Sequence, residues 1–431
     1  MRKVYISFST DIIHSGHIEI INKAAQLGEL TVGVLTDRIV ATYKRFPLMD
    51  TKDRMTVVGN IKGVKHVVVQ DSILGEEQLR SLKPDFVVHG DDWKSGVLQP
   101  IREATFLLVK EWGGEVVEFP YSNIQEHVQL EQHAREQLSI PDVRRGRLKK
   151  LLSMKPLITA MEAHSGLTGL IVENTKIPQE GKMCQFDAMW ISSLCDSTSK
   201  GKPDIELVDM SSRLKTIDEI MEVTTKPIIF DGDTGGMIEH FTYLVQTLER
   251  IGVSAVVIED KTGMKKNSLF GTEVKQTQDT IEHFSAKILA GKSVLKTRDM
   301  MIIARIESLI LEQGMENALT RAHAFVEAGA DGIMIHSRRK EPDEIFEFCE
   351  CFRKENPNTP LVVVPSSFNS VYEDEFEKRG VNIVIYANQL TRSAVPAMQK
   401  TAESILINHR AKDVDATLMP IKDIIRLIPA E

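Results

Sequence analysis

Ala255-Val256-Val257-Ile258-Glu259-Asp260-Lys261-Thr262-Gly263-Met264-Lys265-Lys266-Asn267-Ser268-Leu269 runs from an apolar strand into two acids and then a glycine-containing, lysine-rich loop. Acids at the carboxyl end of a strand can hold a divalent cation, and a mobile cationic loop can close over a phosphorylated substrate. Taken alone, the same residues read more simply as a solvated turn with three lysines. What changes the reading is that other apolar runs in this half of the chain end in the same way.

Around this stretch eight strand candidates follow one another: Leu157–Glu162, Ala188–Ser192, Pro227–Phe230, Ala255–Ile258, Met301–Ala304, Gly332–Ile335, Leu361–Val364 and Ile383–Tyr386. Helix-compatible segments separate them, and the region has about the ~250-residue size of a (β/α)8 TIM barrel. Chemistry in that fold sits just after each strand. In order, those positions hold His164 and Ser165; Trp190, Ser192, Ser193 and Leu194; Asp231 and Asp233; Glu259 and Asp260; Arg305 and Glu307; His336 and Ser337; Pro365 and Ser366; and Ala387 and Asn388. Any single member could be structural; Arg305 and Glu307 alone could be an ion pair. Apolar strands that each deliver a polar group to one rim point, as a set, to catalysis.

The rim implies a chemistry. Asp231, Asp233 and Glu259 offer oxygen ligands suited to Mg²⁺, which takes one or two carboxylates and keeps several waters. Arg305, His336, Lys265 and Asn267 are donors suited to a phosphoryl group. Backbone amides at Ser192–Leu194 could bind a carboxylate or an enolate oxygen. Together they suggest an enolate-forming reaction on a small phosphorylated or phosphonylated keto acid.

Length and composition bound the rest. At 431 residues the chain needs two or three domains, and its 42% hydrophobic and 26% charged content are those of a globular protein. A formal charge of −8 argues against a nucleic-acid partner. The cysteines at 184, 195, 349 and 351 lack metal-ligand spacing and do not read as a disulfide framework. With no signal peptide before Val4 and no apolar run near the ~20 residues of a membrane helix, a reducing, cytoplasmic protein with no membrane partner is expected.

The chain divides where Ser139-Ile140-Pro141-Asp142 precedes Arg144-Arg145-Gly146-Arg147. This basic run reads as a solvated linker or first helix rather than a phosphate patch. We expect one domain over residues 1–136, a linker over 137–150, and a barrel with C-terminal helices over 151–431. In the first domain, Lys3–Ser9, Thr31–Thr36, His66–Gln70, Asp85–His89 and Glu115–Phe119 are strand candidates. Amphipathic stretches such as Ile18–Leu27, Asp53–Ile61 and Ile101–Trp112 lie between them. That alternation predicts a Rossmann-like parallel sheet covered by helices on both faces, with ligands at the strands' carboxyl ends.

Trp190-Ile191-Ser192-Ser193-Leu194, Asp231-Gly232-Asp233, Glu259 through Leu269, Ala304-Arg305-Ile306-Glu307 and His336-Ser337 together resemble the phosphoenolpyruvate mutases of the isocitrate lyase superfamily, over essentially residues 150–431. The resemblance implies interconversion of phosphoenolpyruvate and phosphonopyruvate. It implies that Asp231 binds Mg²⁺ directly while Asp204, Asp233 and Glu259 hold its waters. Arg305, His336, Asn267 and Ser192 would hold the migrating phosphoryl group, with Lys265 in the gate loop. Trp190 would pack beside the substrate, the amides near Ser193 and Leu194 would hold the pyruvyl oxygens, and Ser337 completes the substrate set. The lyases of the superfamily carry a cysteine in the gate loop. Here that region reads Lys265-Lys266-Asn267-Ser268, so a lyase is not expected. Phosphonopyruvate hydrolases are the alternative, and Asn267 points to the mutase.

His14-Ser15-Gly16-His17 follows the first strand, where a helix begins and nucleotide phosphates can be contacted. With His89-Gly90-Asp91-Asp92-Trp93 after a later strand, it resembles the small cytidylyltransferases of the glycerol-3-phosphate type. By that resemblance His14 and His17 act on the triphosphate of CTP, with Asp11, Lys44, Arg54, Asp91, Asp92 and Trp93 nearby. Two departures stand out: Phe8-Ser9-Thr10-Asp11 replaces Gly-Thr-Phe-Asp, and Glu118-Phe119-Pro120-Tyr121-Ser122-Asn123 replaces a phosphate-gripping segment. Either the domain transfers CMP to a phosphonate, or it is a non-catalytic docking remnant. The barrel family also implies a homodimer or homotetramer that exchanges a C-terminal helix.

Overall fold

A computed structural model describes residues 2–43, 47–94, 98–120, 124–179 and 182–428. The first domain is a parallel five-stranded sheet of β1 (Lys3–Phe8), β2 (Glu29–Leu35), β3 (Val64–Gln70), β4 (Phe86–Gly90) and β5 (Glu115–Phe119), ordered β3-β2-β1-β4-β5. The central strands β1 and β2 are buried on both faces, which is why they read as nearly continuous apolar runs, whereas the edge strand β3 is largely open. Val4 and Ile6 pack with Leu30, Val32, Ile20 and Ala24 on one face, while Tyr5 faces Leu79, Val87 and Leu108 on the other. Because β1 pairs with β2 on one side and β4 on the other, the strand order reverses there. The crevice at the carboxyl end of β1 is therefore where this fold class takes ligands.

The second domain closes. β6 (Ile158–Glu162) is followed by an antiparallel hairpin, β7 (Lys176–Gln179) and β8 (Lys182–Gln185), outside the barrel. The remaining strands are β9 (Ala188–Ile191), β10 (Ile228–Asp231), β11 (Ala255–Glu259), β12 (Met301–Ile306), β13 (Gly332–Ile335), β14 (Leu361–Val363) and β15 (Ile383–Tyr386). They form a closed barrel with β6 between β15 and β9, and every pairing is parallel.

Strand period two sorts the side chains. Ile229, Ala255, Val257, Met301, Ile303, Met334 and Ile385 fill the barrel interior. Their neighbours Phe230, Val256, Ile258, Ile302 and Ile335 pack outward against the helices. Two residues beyond the interior set, the same inward direction carries Asp231, Glu259, Arg305 and His336 to the carboxyl rim.

The basic run expected as a solvated linker or first helix is helical, but it is not solvated. The chain continues as helix Ile124–Ser139 and then helix Pro141–Leu152, whose Arg144, Arg145 and Arg147 are buried. Arg144 donates to the carbonyls of Met221 and Thr224 at 3.2 and 2.7 Å, Arg145 to that of Glu249 at 3.0 Å, and Arg147 to that of Thr225. These carbonyls lie at the amino end of the barrel, and Leu148 and Leu151 join the interior cluster from the same side. An arginine run whose Nη groups donate to backbone carbonyls looks like a surface charge run in sequence, since the acceptors belong to residues some 80–100 positions away.

At the other terminus, helix Gln389–Asn408 buries none of its residues and exposes Met398, Leu406 and Ile407. No described helix is long and apolar enough to cross a membrane.

Candidate active site

The rim closes around a cavity of about 60 Å³ lined by Trp190, Ser192, Ser193, Leu194, Asp204, Asp231, Glu259, Lys265, Asn267, Ser268, Arg305, His336, Ser366 and Asn388 among others. Its centre is an ammonium among acids. Lys265 Nζ lies 2.6 Å from Asp233 Oδ1, 3.1 Å from Asp204 Oδ1 and 2.5 Å from Ser193 Oγ. Ser193 in turn donates its N–H and hydroxyl to Asp231 Oδ2 at 3.1 and 2.8 Å. Burial would lower the Lys265 ammonium, but Asp233, Asp231 and Asp204 hold it well above its usual value. Burial would likewise raise Asp231, yet Lys265, Arg213 and Arg305 bring its carboxyl down to about 2.

A second group lies across the cavity. Arg305 donates through Nε to Glu307 at 2.7 Å and through Nη2 to Ser268 Oγ at 2.7 Å and His336 Nδ1 at 2.9 Å. A guanidinium only donates, so His336 Nδ1 accepts and a neutral ring keeps its proton on Nε2. Burial, then Arg305, lowers the His336 pKa and favours that neutral form. Glu307 is held well below its usual value because Arg305 and Lys261 outweigh its burial. Glu259 goes the other way: burial raises it to about 7 despite Arg305 and Lys261.

The lysine-rich loop from Lys261 to Leu269 is folded onto this rim. Lys261 Nζ reaches the Lys266 carbonyl, Ser268 Oγ and Gln276 Oε1 at 2.9, 3.0 and 2.9 Å. Asn267 donates to Asp204 Oδ2 at 2.9 Å and accepts the Leu269 N–H at 3.0 Å, capping the short 3₁₀ turn Ser268–Glu273. A larger groove of about 860 Å³ lies on the other side of the loop, lined in part by Glu206, Met237, Met264 and His283.

Most barrel candidates therefore meet. Ser337 does not reach the cavity lining, because its hydroxyl donates to Glu344. Asp233 also stays out of the lining, held by Lys265 and by Arg213 at 2.8 Å with φ +54°. The Ser193 N–H is directed at Asp231 rather than into open space. Arg213, on helix Met210–Met221, was missed: it also donates to the Asp231 carbonyl at 2.6 Å. Nothing marks it in the sequence, since a helix's inward face there is ordinary core. Glu206 was missed too, although it lies two residues past Asp204. Among the described residues, the set of His, Cys, Asp and Glu ligand atoms drawn within 4.8 Å of one another is Glu162, His164 and Cys195, not the rim acids, two of which pair with Lys265. Cys195 donates its thiol to Glu162, and burial with that carboxylate pushes its pKa up, so it is no thiolate.

In the first domain, His14 caps helix Ser15–Leu27 at the carboxyl end of β1, its ring accepting from the Gly16 N–H at 3.1 Å, with the His17 ring tilted against it at 4.0 Å between centroids. Other candidates are engaged in the fold. Arg54 is fully buried, donating to the carbonyls of Ser9 and Met49 and to Asp37. Asp11 accepts the N–H groups of Leu48 and Met49. Trp93 is buried, stacked on His89 at 3.8 Å and donating to Glu118 at 2.7 Å. Asp91 begins the short 3₁₀ turn Asp91–Lys94, with Lys94 at 4.0 Å. Lys44 and the Asp92 side chain lie outside the described residues.

Comparison with known proteins agrees with both halves. The phosphoenolpyruvate phosphomutase family matches residues 148–406, and the cytidylyltransferase-like family matches residues 9–146. A phosphoenolpyruvate phosphomutase of Tetrahymena pyriformis is 37% identical over 282 residues, covering 65% of this chain and 89% of that protein. A phosphonopyruvate hydrolase of Variovorax sp. is also 37% identical over 282 residues, covering 65% and 93%. A crystal structure of a phosphonopyruvate hydrolase complex with oxalate and Mg²⁺ superposes with a TM-score of 0.59 at 35% identity, covering 66% of this chain and 94% of that one. With its closed barrel, its rim of acids and arginine, and a match over more than half its length, this chain belongs to the phosphoenolpyruvate phosphomutase family and carries a cytidylyltransferase-like domain in front of the barrel.

Proposed function

We propose that the barrel interconverts phosphoenolpyruvate and 3-phosphonopyruvate, forming a carbon–phosphorus bond for phosphonate biosynthesis. The observation that carries this reading is Asn267, whose amide is held on Asp204 at the cavity edge while its loop covers the rim. In the forward step the phosphorus–oxygen bond of phosphoenolpyruvate breaks and its electron pair stays on oxygen, giving the pyruvate enolate. The enolate's CH2 carbon then bonds to phosphorus and the oxygen becomes a ketone. Arg305, the Nε2–H of neutral His336, Asn267 and Ser192 hold the metaphosphate-like group, and Trp190 walls the cavity. The closed loop keeps water from phosphorus between the two bonds.

The residues present fit a hard divalent cation. Asp204 Oδ1, Asp233 Oδ1 and Glu259 Oε1 are buried and face ammonium groups, Lys265 at 3.1 and 2.6 Å from the first two and Lys261 at 3.2 Å from the third, so this set of acids already calls for positive charge. Asp231, Asp233 and Glu259, with Asp204, would hold Mg²⁺, an ion present in the hydrolase structure described above. When bound, it supplies positive charge that stabilises the enolate and phosphoryl oxygens.

For the first domain we propose transfer of CMP from CTP to a phosphonate, the phosphonate oxygen attacking the α-phosphorus as pyrophosphate leaves. The pair His14 and His17 at a helix N-terminus supports it. The buried Arg54 and Trp93 favour the rival reading, a docking module. We place the protein in the cytoplasm as a homodimer or homotetramer; its four free cysteines suit a reducing compartment, and the uncovered Gln389–Asn408 helix suits a partner copy.

A hydrolase is the second reading, favoured by the equal identity to phosphonopyruvate hydrolase. Because equilibrium favours the enol phosphate, the intact protein is given phosphonopyruvate and followed by phosphorus NMR. Phosphoenolpyruvate is the expected product. Stoichiometric pyruvate and inorganic phosphate would overturn the mutase in favour of the hydrolase.

A further inference from the structure

Glu206 spans two loops. One carboxylate oxygen accepts the Thr234 N–H at 2.9 Å and the Thr234 hydroxyl at 2.6 Å; the other accepts the backbone N–H of Lys265 at 3.0 Å. Thr234 follows the Asp231–Asp233 turn and is itself fixed, its carbonyl taking Lys287 Nζ at 2.9 Å and its hydroxyl the Gly236 N–H at 3.2 Å. One side of Glu206 is thus anchored on the rim while the other grips the gate loop.

The grip falls on the residue whose ammonium sits among Ser193, Asp204 and Asp233. Glu206 also holds φ at +59°, a left-handed conformation that residues with a Cβ rarely adopt, and Asp233 does the same at +54°. Outlying backbone conformations of this kind persist where surrounding contacts over-determine them and mark switch regions. Both outliers flank the meeting point of gate and rim.

We propose that Glu206 is the latch of the gate loop, a positioning residue that acts through Lys265 and sets the balance between rearrangement and loss of the phosphoryl group to water. The proposal rests on the mutase reading. Glu206 touches no reacting atom; among the described residues its carboxylate ties the loop's main chain to the rim at Lys265, next to the Lys266 carbonyl that Lys261 holds, whereas Asp204 ties only side chains.

Glu206→Gln tests this in the intact protein. The glutamine oxygen can keep the Thr234 contacts, while its NH2 group faces the Lys265 N–H as donor against donor. Hydrogen–deuterium exchange of residues 262–267 should then accelerate without substrate. With phosphonopyruvate, kcat should fall about ten- to a hundredfold with KM little changed, as for loss of a hydrogen bond to a charged group. The fraction released as inorganic phosphate should rise, a change that a general loss of stability does not produce. Unchanged exchange at 262–267 together with a wild-type product ratio would overturn the latch. Should the parent protein give only phosphate and pyruvate, the mutase reading fails separately, and the exchange rate alone decides the latch: faster supports it, unchanged refutes it.

Discussion

Shortening Asn267 to alanine probes how the gate loop protects the migrating group. Its amide donates to the Asp204 carboxylate at 2.9 Å, and its oxygen accepts the Leu269 N–H at 3.0 Å. A hydrogen bond to a charged group contributes about 1.5–3 kcal/mol and a neutral one about 0.5–1.5 kcal/mol. Losing both destabilises the closed loop by about 2–4 kcal/mol, or ~30- to 10³-fold in closed population at ~1.4 kcal/mol per factor of ten. Loss of a donor aimed at developing charge falls in the same range, ~10²–10³ in rate. We therefore expect Asn267→Ala to lose about 10²–10³ in mutase turnover. The vacated space beside phosphorus should also admit water and raise the share of inorganic phosphate. Phosphorus NMR from phosphonopyruvate reads both quantities at once. Lys265→Ala should lower both products together, since it removes a cation rather than a barrier to water. Near-wild-type mutase turnover in Asn267→Ala, with an unchanged product ratio, would refute the gate argument and leave the assignment on Asp231, Glu259 and Arg305.

Chelation of divalent cations should abolish turnover and added Mg²⁺ restore it, whereas Asp231→Ala should stay inactive with the metal present; the same NMR assay checks both. For the first domain, calorimetry should detect CTP binding in the presence of Mg²⁺, and His17→Ala should abolish pyrophosphate release while mutase activity persists; no binding at millimolar CTP favours the docking module. Arg144→Ala leaves the buried carbonyls of Met221 and Thr224 without their donor, and should cost about 2–4 kcal/mol in urea unfolding followed by circular dichroism. A midpoint shift too small for 1 kcal/mol would contradict the role given to that helix. Replacing the exposed Leu406 and Ile407 by glutamate should shift the protein to monomer in light scattering if helix Gln389–Asn408 packs on a partner copy.

Much of the site was legible because barrel chemistry is tied to chain order. Asp231, Glu259, Arg305 and His336 each lie at or just past the end of an apolar run, and a parallel closed sheet brings all such ends to one rim. The gate lysine and asparagine were legible from their place directly after β11. The first domain was less so. His14 and His17 stood out by spacing and by position, but Arg54 and Trp93 read as ligand-facing until their partners, Ser9, Met49, Asp37 and Glu118, came from other strands and loops.

By itself the sequence determined the two-domain α/β order, the eight barrel strands and the charges of the rim, since strand period and chain order are local properties written in consecutive residues. Tertiary structure alone decided which of those charges neutralise one another. Lys265 lies among Asp204, Asp233 and Ser193, Arg213 reaches Asp231 and Asp233 from a helix, and the arginines of helix Pro141–Leu152 bind the floor of the barrel. Those partners are distant along the chain and meet only when the sheet closes. Burial and these neighbours then fix the protonation: Lys265, Arg213 and Arg305 hold Asp231 at about 2 against its burial, while burial raises Glu259 to about 7 despite Arg305 and Lys261.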